Sequence, residues 1–260
     1  MTKIMQMKKP SRLLSVIIPN RNYERFIADS IASVAYQDYG PIELVIVDDA
    51  STDDSLRVID SCVEATDKLE RIEVVAVDTN VGKLGAINRV LDKINGEYCI
   101  ILDSDDYLLP GYARRCIDRL IAARRQDPAI GFVYTDCNLV AADGRVLDRG
   151  KSAGFDPVRL DKFSYIPEPG VVLTRALVEA GPFDETIRRG TKHHKWLRIV
   201  ANGWAGLHLP EALFCYRMHE NNLSGIGKRI TAEVMNGHRG ERILSGYWPT
   251  EMRSTGVGSG

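Results

Sequence analysis

Gly96-Glu97-Tyr98-Cys99-Ile100-Ile101-Leu102-Asp103-Ser104-Asp105-Asp106-Tyr107-Leu108-Leu109-Pro110 is the stretch that decides the fold of this 260-residue chain. From Tyr98 to Leu102 the run is apolar without alternation, as in a strand covered on both faces. It stops abruptly in Asp103-Ser104-Asp105-Asp106. In open parallel sheets ligands bind beyond the carboxyl ends of the strands, so the same segment predicts a core strand and a polar site at its end.

Similar runs flank it: Leu13 to Ile18, Ile42 to Val47 and Arg71 to Val77. Each is short, rich in β-branched residues and expected to be buried on both faces. Helix-period stripes separate them: Phe26 to Ala35, Leu56 to Val63 after the capping oxygens of Ser51-Thr52-Asp53, Leu84 to Ile94 ended by Asn95-Gly96, and Cys116 to Ile121. Strand–helix–strand alternation predicts a Rossmann-like, mainly parallel α/β sheet flanked by helices, in a single domain. Further strands are expected at Ile130 to Thr135 and Gly170 to Thr174, a helix at Lys192 to Ala201, and a loop-rich crossing from Gly150 to Pro169. Residues 1–12 read as a flexible tail, 13–224 as the domain, and 225–260 as an extension with a disordered end.

Composition removes several function classes. Lys and Arg total 34 against 35 Asp and Glu, a net charge of −1, so the basic surplus of a general nucleic-acid binder is missing. No stretch approaches the roughly 18 apolar residues of a membrane span, and no secretory signal opens the chain. Five cysteines without CxxC spacing argue against zinc and disulfides and for a reducing, cytoplasmic setting. The basic N-terminus leaves a peripheral contact with the cytoplasmic face of a membrane open.

The expected strand ends are acidic: Asp48-Asp49, Asp78, Asp103-Ser104-Asp105-Asp106 and Asp136. For any one of these, a turn or helix cap is the ordinary role. Together on one sheet edge they repel and call for a cation, and hard divalent ions such as Mn²⁺ or Mg²⁺ suit oxygen ligands and leave positions for phosphates. No GxGxxG or GxxxxGK[ST] loop follows the first strand, so a dinucleotide fold and a P-loop are disfavoured.

Taken in order, SVIIPNRN, ELVIVDDASTD, NVGKLGAINRVL, GEYCIILDSDDYLLP, GPFDE and YRMHENNLS resemble the family 2 glycosyltransferases with a GT-A fold. The resemblance covers about Leu14 to Ser224. It implies a hexosyltransferase-type enzyme that moves a sugar from a nucleotide-sugar donor to a hydroxyl acceptor with inversion. The implied donor site is Pro19, Asn20, Arg21, Asp48, Asp49, Asn80, Lys83, Asp103, Ser104 and Arg217. Within it Asp49 meets the base, Pro19 and Arg21 flank it, and Arg217 and His219 come from a loop over the diphosphate. The implied metal ligands are Asp105, Asp103 and His219. A UDP-sugar is the default donor and a polysaccharide or glycoconjugate the product.

The sequence departs from this pattern at the chemistry. Where the family carries an acidic pair ahead of its D-L-W-L-R helix, this chain reads Thr191-Lys192-His193-His194-Lys195-Trp196-Leu197-Arg198. Three explanations stand, in this order. His193 or His194 is the base, since imidazole titrates near neutral pH. The base comes from Asp184, Glu185 or Glu168. Or transfer is lost or altered. Lys192 is a further candidate, pairing with the donor diphosphate. The alternative function is a catalytically reduced nucleotide-sugar-binding protein. A nucleotidyltransferase is weaker, because it would want a glycine-rich phosphate loop after the first strand. The sequence leaves a homodimer open.

Overall fold

The computed structural model describes residues 12–222 and a short strand at 242–243. The expected tail before residue 12 and the extension from 225 therefore lie outside the described residues, apart from that strand. Strand β1 (Leu14–Asn20) is wholly buried between parallel partners β2 (Ile42–Asp49) and β4 (Tyr98–Ile101). All residues of β1, β2 and β4 are buried, as their unbroken apolar runs require. β3 (Arg71–Val77) pairs parallel to β2 at the sheet edge. Its apolar residues are only half-buried, against the expectation, because an edge strand has one neighbour.

The helices are amphipathic. α1 (Ile27–Ala35) buries Ile27, Ile31 and Val34, and α2 (Ser55–Glu64) buries Ile59. Asp53 accepts the Ser55 N–H at the entry to α2, as the capping residues predicted. α3 (Gly82–Asn88) is shorter than its stripe: beyond Asn88 the chain continues in turns while Val90 and Ile94 stay buried. α4 (Tyr112–Arg124) follows the two-residue strand β5 (Tyr107–Leu108).

The second half changes the sheet. β6 (Ile130–Ala141) runs well past Thr135 and turns back as β7 (Val146–Lys151). α5 (Pro157–Lys162) breaks the crossing that follows. β8 (Gly170–Leu173) inserts antiparallel between β4 and β6 and leads into α6 (Thr174–Ala180). After α7 (Thr191–Ala201), the long strand β9 (Ala205–Met218) pairs with β6 and β5, and β10 (Arg242–Ile243) pairs with β7. The sheet order is β10-β7-β6-β8-β4-β1-β2-β3. It is parallel across β4-β1-β2-β3 and mixed beyond β8, which refines the mainly parallel expectation.

The lengthened β6 also relocates one carboxylate. Asp136 lies inside the strand rather than at its end, where it accepts from Ser152 N at 2.9 Å and meets His208 Nε2 at 2.8 Å. These hydrogen bonds hold it below the usual carboxylate range despite its burial.

Candidate active site

A cavity of about 600 Å³ opens at the carboxyl ends of β1, β2 and β4, within the size range of ligand sites. Pro19, Asn20, Arg21, Asp49, Asn80, Lys83, Asp103, Ser104 and Asp105 of the expected set all line it. Asp48 does not. Its carboxylate is used inside the protein, accepting from Asn20 Nδ2 at 2.8 Å and from Ser51 Oγ at 2.6 Å and N at 3.0 Å. Asp78 is exposed and outside the cavity.

Asp49 ties β2 to the start of α3. Its two oxygens accept the Val81 and Gly82 N–H groups at 2.7 and 2.8 Å. Gly82 stands at φ 78°, a left-handed conformation that suits glycine. Each Asp49 oxygen keeps a second lone pair for a ligand. Arg21 does not stack over open space; its guanidinium donates to the Asp49 and Ala50 carbonyls at 2.7 and 3.2 Å. Asn20 is buried, and its Oδ1 has no hydrogen-bond partner.

Asp103, Asp105 and Asp106 place one carboxylate oxygen each within 4.8 Å of one another. Burial, then the charges of Asp105 and Asp103, pushes Asp106 well up from the ordinary carboxylate range. Its Oδ1 accepts the Arg217 N–H at 2.9 Å and its buried Oδ2 has no partner. Burial also raises Asp103, with Glu168 and Asp105 adding to it and Lys83 opposing. Three hard oxygen donors, one of them orphaned and two reluctant to ionise, fit a divalent cation such as Mn²⁺ or Mg²⁺. Asp106 is the last residue of Asp-Ser-Asp-Asp, a segment of which the family resemblance implies only Asp103 and Asp105 as ligands.

Two expected residues sit differently. Arg217 is buried on β9, donating to the Asp105 carbonyl at 2.9 Å, the Ala142 carbonyl at 2.8 Å and Asp29 Oδ2 at 2.7 Å. Its guanidinium is outside the cavity lining and braces the Asp loop from behind, rather than covering a diphosphate. His219 Nδ1 accepts the Asn221 N–H at 3.2 Å, which leaves Nε2 to donate to Asp105 Oδ2 at 3.0 Å. In this arrangement His219 orients the Asp105 carboxylate and does not itself offer a lone pair from Nε2.

The two histidines stand apart from the cavity. Thr191 and Lys192 line the cavity; His193 and His194 do not. His194 Nε2 faces the Asp184 N–H at 3.4 Å, and its ring packs edge-on to Phe183. Burial lowers both imidazoles, with Lys192 adding to the effect at His193 and Arg198 at His194. The helix explains the outcome. Lys192, Lys195, Trp196 and Ile199 share one stripe at i, i+3, i+4 and i+7, and Trp196 and Ile199 are core residues. His193→Ala and His194→Ala are accordingly expected to keep turnover within a few-fold of the parent. A loss beyond about 10²-fold in either, the scale of a positioned acid or base, would restore the imidazole base.

Glu168 is the carboxylate beneath Lys192. It is buried and held by Lys83 at 3.2 Å and by Lys195 in close contact, while Lys83 also contacts Asp103. Asp184 and Glu185 are outside the cavity lining; Glu185 pairs with Arg89 at 2.7 Å. Tyr23, Arg188, Arg189, Tyr216, Asn221 and Asn222 also line the cavity. Tyr216, Asn221 and Asn222 belong to the YRMHENNLS segment, whereas no local sequence signal marks Tyr23, Arg188 and Arg189, which only the tertiary fold brings to the site.

This fold is that of a sugar transferase, and the comparisons agree. The Glycosyl transferase family 2 profile matches residues 15–149, and the chain belongs to that family. TuaG of Bacillus subtilis (strain 168), a glycosyltransferase named for teichuronic acid biosynthesis, is 30% identical over 217 residues, 82% of this chain and 81% of its own length. The structure of Staphylococcus aureus TarS residues 1–349 with UDP-GlcNAc superposes with a TM-score of 0.64 at 22% identity, covering 81% of this chain and 60% of that fragment. The mannosyltransferase PcManGT of Pyrobaculum calidifontis, solved with GDP-Man and Mn²⁺, gives 0.62 at 19% identity over 84% of this chain and 60% of its own. Both show the GT-A fold shared with this chain. No described helix is long and apolar enough to cross a membrane.

Proposed function

We propose that the chain transfers a sugar, with inversion, from a nucleotide-sugar donor to an acceptor hydroxyl in polysaccharide or glycoconjugate synthesis, with a divalent metal as cofactor. The observation that carries this reading is the cavity itself. It joins Asp49 and Asn20 at one end to Asp103 and Asp105 at the other, with the buried Asp106 of the same cluster behind them. The first end offers acceptors to the N–H groups of a base. The second would hold Mn²⁺ or Mg²⁺, which neutralises charge on a nucleoside diphosphate leaving group. UDP is the default nucleotide, although TarS and PcManGT were solved with different nucleotide sugars.

The protein's own groups do the rest. Lys83, held between Asp103 and Glu168, keeps a raised pKa because those two carboxylates outweigh its burial, so it stays cationic beside the expected diphosphate. Arg217 and His219 fix the backbone and the carboxylate of Asp105. The second reading, a nucleotide-sugar-binding protein of reduced activity, is favoured by one observation: a lysine, not a carboxylate, faces the cavity at position 192.

A thermal-shift series with UDP, GDP and their sugars, with and without Mn²⁺, tests the donor site. A nucleotide at about 100 Kd is expected to add about 2.7 kcal/mol, and only with metal present. Stabilisation equal with and without Mn²⁺, or none, would remove the metal–diphosphate assignment. Release of nucleoside diphosphate on adding an acceptor separates the transferase from the binding protein.

A further inference from the structure

We propose that the α7 side of this cavity is an oxyanion subsite and that the acceptor carries a phosphate or carboxylate close to the hydroxyl that is glycosylated. This rests on the transferase reading. The argument begins with the charges. Glu168, Asp103 and Asp106 are the carboxylates whose charge reaches Lys192, and Lys83 and Lys195 already pair with the first two. Lys192 is left over. It forms no hydrogen bond or ion pair among the described residues, yet it lines the cavity, and burial lowers its pKa. Arg189, three residues earlier, also lines the cavity without such a partner.

These cations stand where a helix disfavours them. Gly190, at φ 67°, turns the chain into α7, no side chain caps the helix, and its first turn has no carboxylate. The N-terminus of an eleven-residue helix therefore presents its N–H groups together with Lys192. Positive charge against the positive end of the dipole is locally unfavourable and is relieved by an anion. Such a conflict, retained in a cavity wall, marks a ligand site.

The donor does not need these groups. Its diphosphate would be matched by a divalent ion at the Asp cluster and by Lys83. Arg188 belongs to the donor side, because its Nη1 lies 2.0 Å from where a Cβ on Gly82 would stand, over the turn that Asp49 holds. Arg189, Lys192 and the α7 N-terminus remain for the second substrate. Arginine's planar fork suits either a phosphate or a carboxylate.

The test titrates glycerol 3-phosphate and glucuronate, with glycerol and glucose as neutral counterparts, into the full chain saturated with nucleoside diphosphate and Mn²⁺. At least one anionic probe is expected to bind tenfold or more tightly than its neutral counterpart. That preference should fall about tenfold in Lys192→Met and in Arg189→Ala and be retained in Lys192→Arg, with folding checked by circular dichroism. Equal binding of charged and neutral probes, displacement of the probe by the nucleotide, or full affinity in Lys192→Met would overturn the subsite. Binding of a probe by a protein that takes no nucleoside diphosphate would instead overturn the transferase reading, and the acceptor assignment with it.

Discussion

Asp105→Asn is expected to fold, to lose the Mn²⁺-dependent stabilisation by nucleotide, and to lower turnover by roughly 10²–10³-fold or more, the scale of one preorganised electrostatic contact. The substitution is nearly isosteric. Its amide oxygen can still accept from His219 Nε2 and Asn222 Nδ2, which now meet Asp105 Oδ2 at 3.0 and 3.3 Å. The Arg217 contact goes to the Asp105 carbonyl and survives. What disappears is the negative charge beside Asp103 and Asp106. Retention of metal-dependent nucleotide binding in this variant would move the metal elsewhere.

The same cluster gives a pH sign. Asp103 and Asp106 are raised above the ordinary carboxylate range, chiefly by burial and then by neighbouring carboxylates. The metal-free protein therefore holds protons that the unfolded chain releases. Its stability from these groups is fully present below the unfolded values and is lost as pH rises through the folded ones. A bound cation displaces the protons, so Mn²⁺ affinity should increase with pH over that same window.

How far the sequence carried can be judged at particular residues. β1, β2 and β4 were legible because both faces are buried and the apolar run is continuous; β3 has the same run but sits at the edge. The Asp-Ser-Asp-Asp segment exposed the carboxylate cluster because its residues are adjacent in the chain. The base was harder. Titration near neutral pH drew attention to His193 and His194, but orientation is set by helical phase. Trp196 and Ile199 already fixed which face of α7 turns inward, and Lys192 lies on it. Asp48 and Asp49 are neighbours on a strand and so point to opposite faces, which is why only one of them reaches the cavity. Glu168 stands among the candidate bases in the sequence, but its ion pairs were beyond local reading: the partners lie at positions 83 and 195, and only the fold brings those elements together.

Glu168→Gln is expected to destabilise the protein by about 3–5 kcal/mol, the usual cost of removing one partner from a buried ion pair. That is a large share of the roughly 5–15 kcal/mol that holds a domain together. Glu168 and Lys195 are 3% and 1% exposed, and Lys195 is packed over the Trp196 ring at 3.8 Å, so the orphaned ammonium has no route to water. Burial alone would push Glu168 up, but Lys195 and Lys83 hold it below the ordinary range, whereas burial lowers Lys195. The Glu168 contribution is present above the unfolded glutamate pKa of about 4.3 and is lost as pH falls through the depressed folded value. The parent should therefore lose more stability on acidification than the variant does, as read by urea denaturation across pH. A base and a brace then separate cleanly in Glu168→Gln/Lys195→Met, which removes both charges and leaves Lys83 on Asp103. Recovery of stability and turnover together confines Glu168 to balancing the buried charge of Lys195. Recovery of stability with turnover still lost would make Glu168 the group that takes the acceptor's proton.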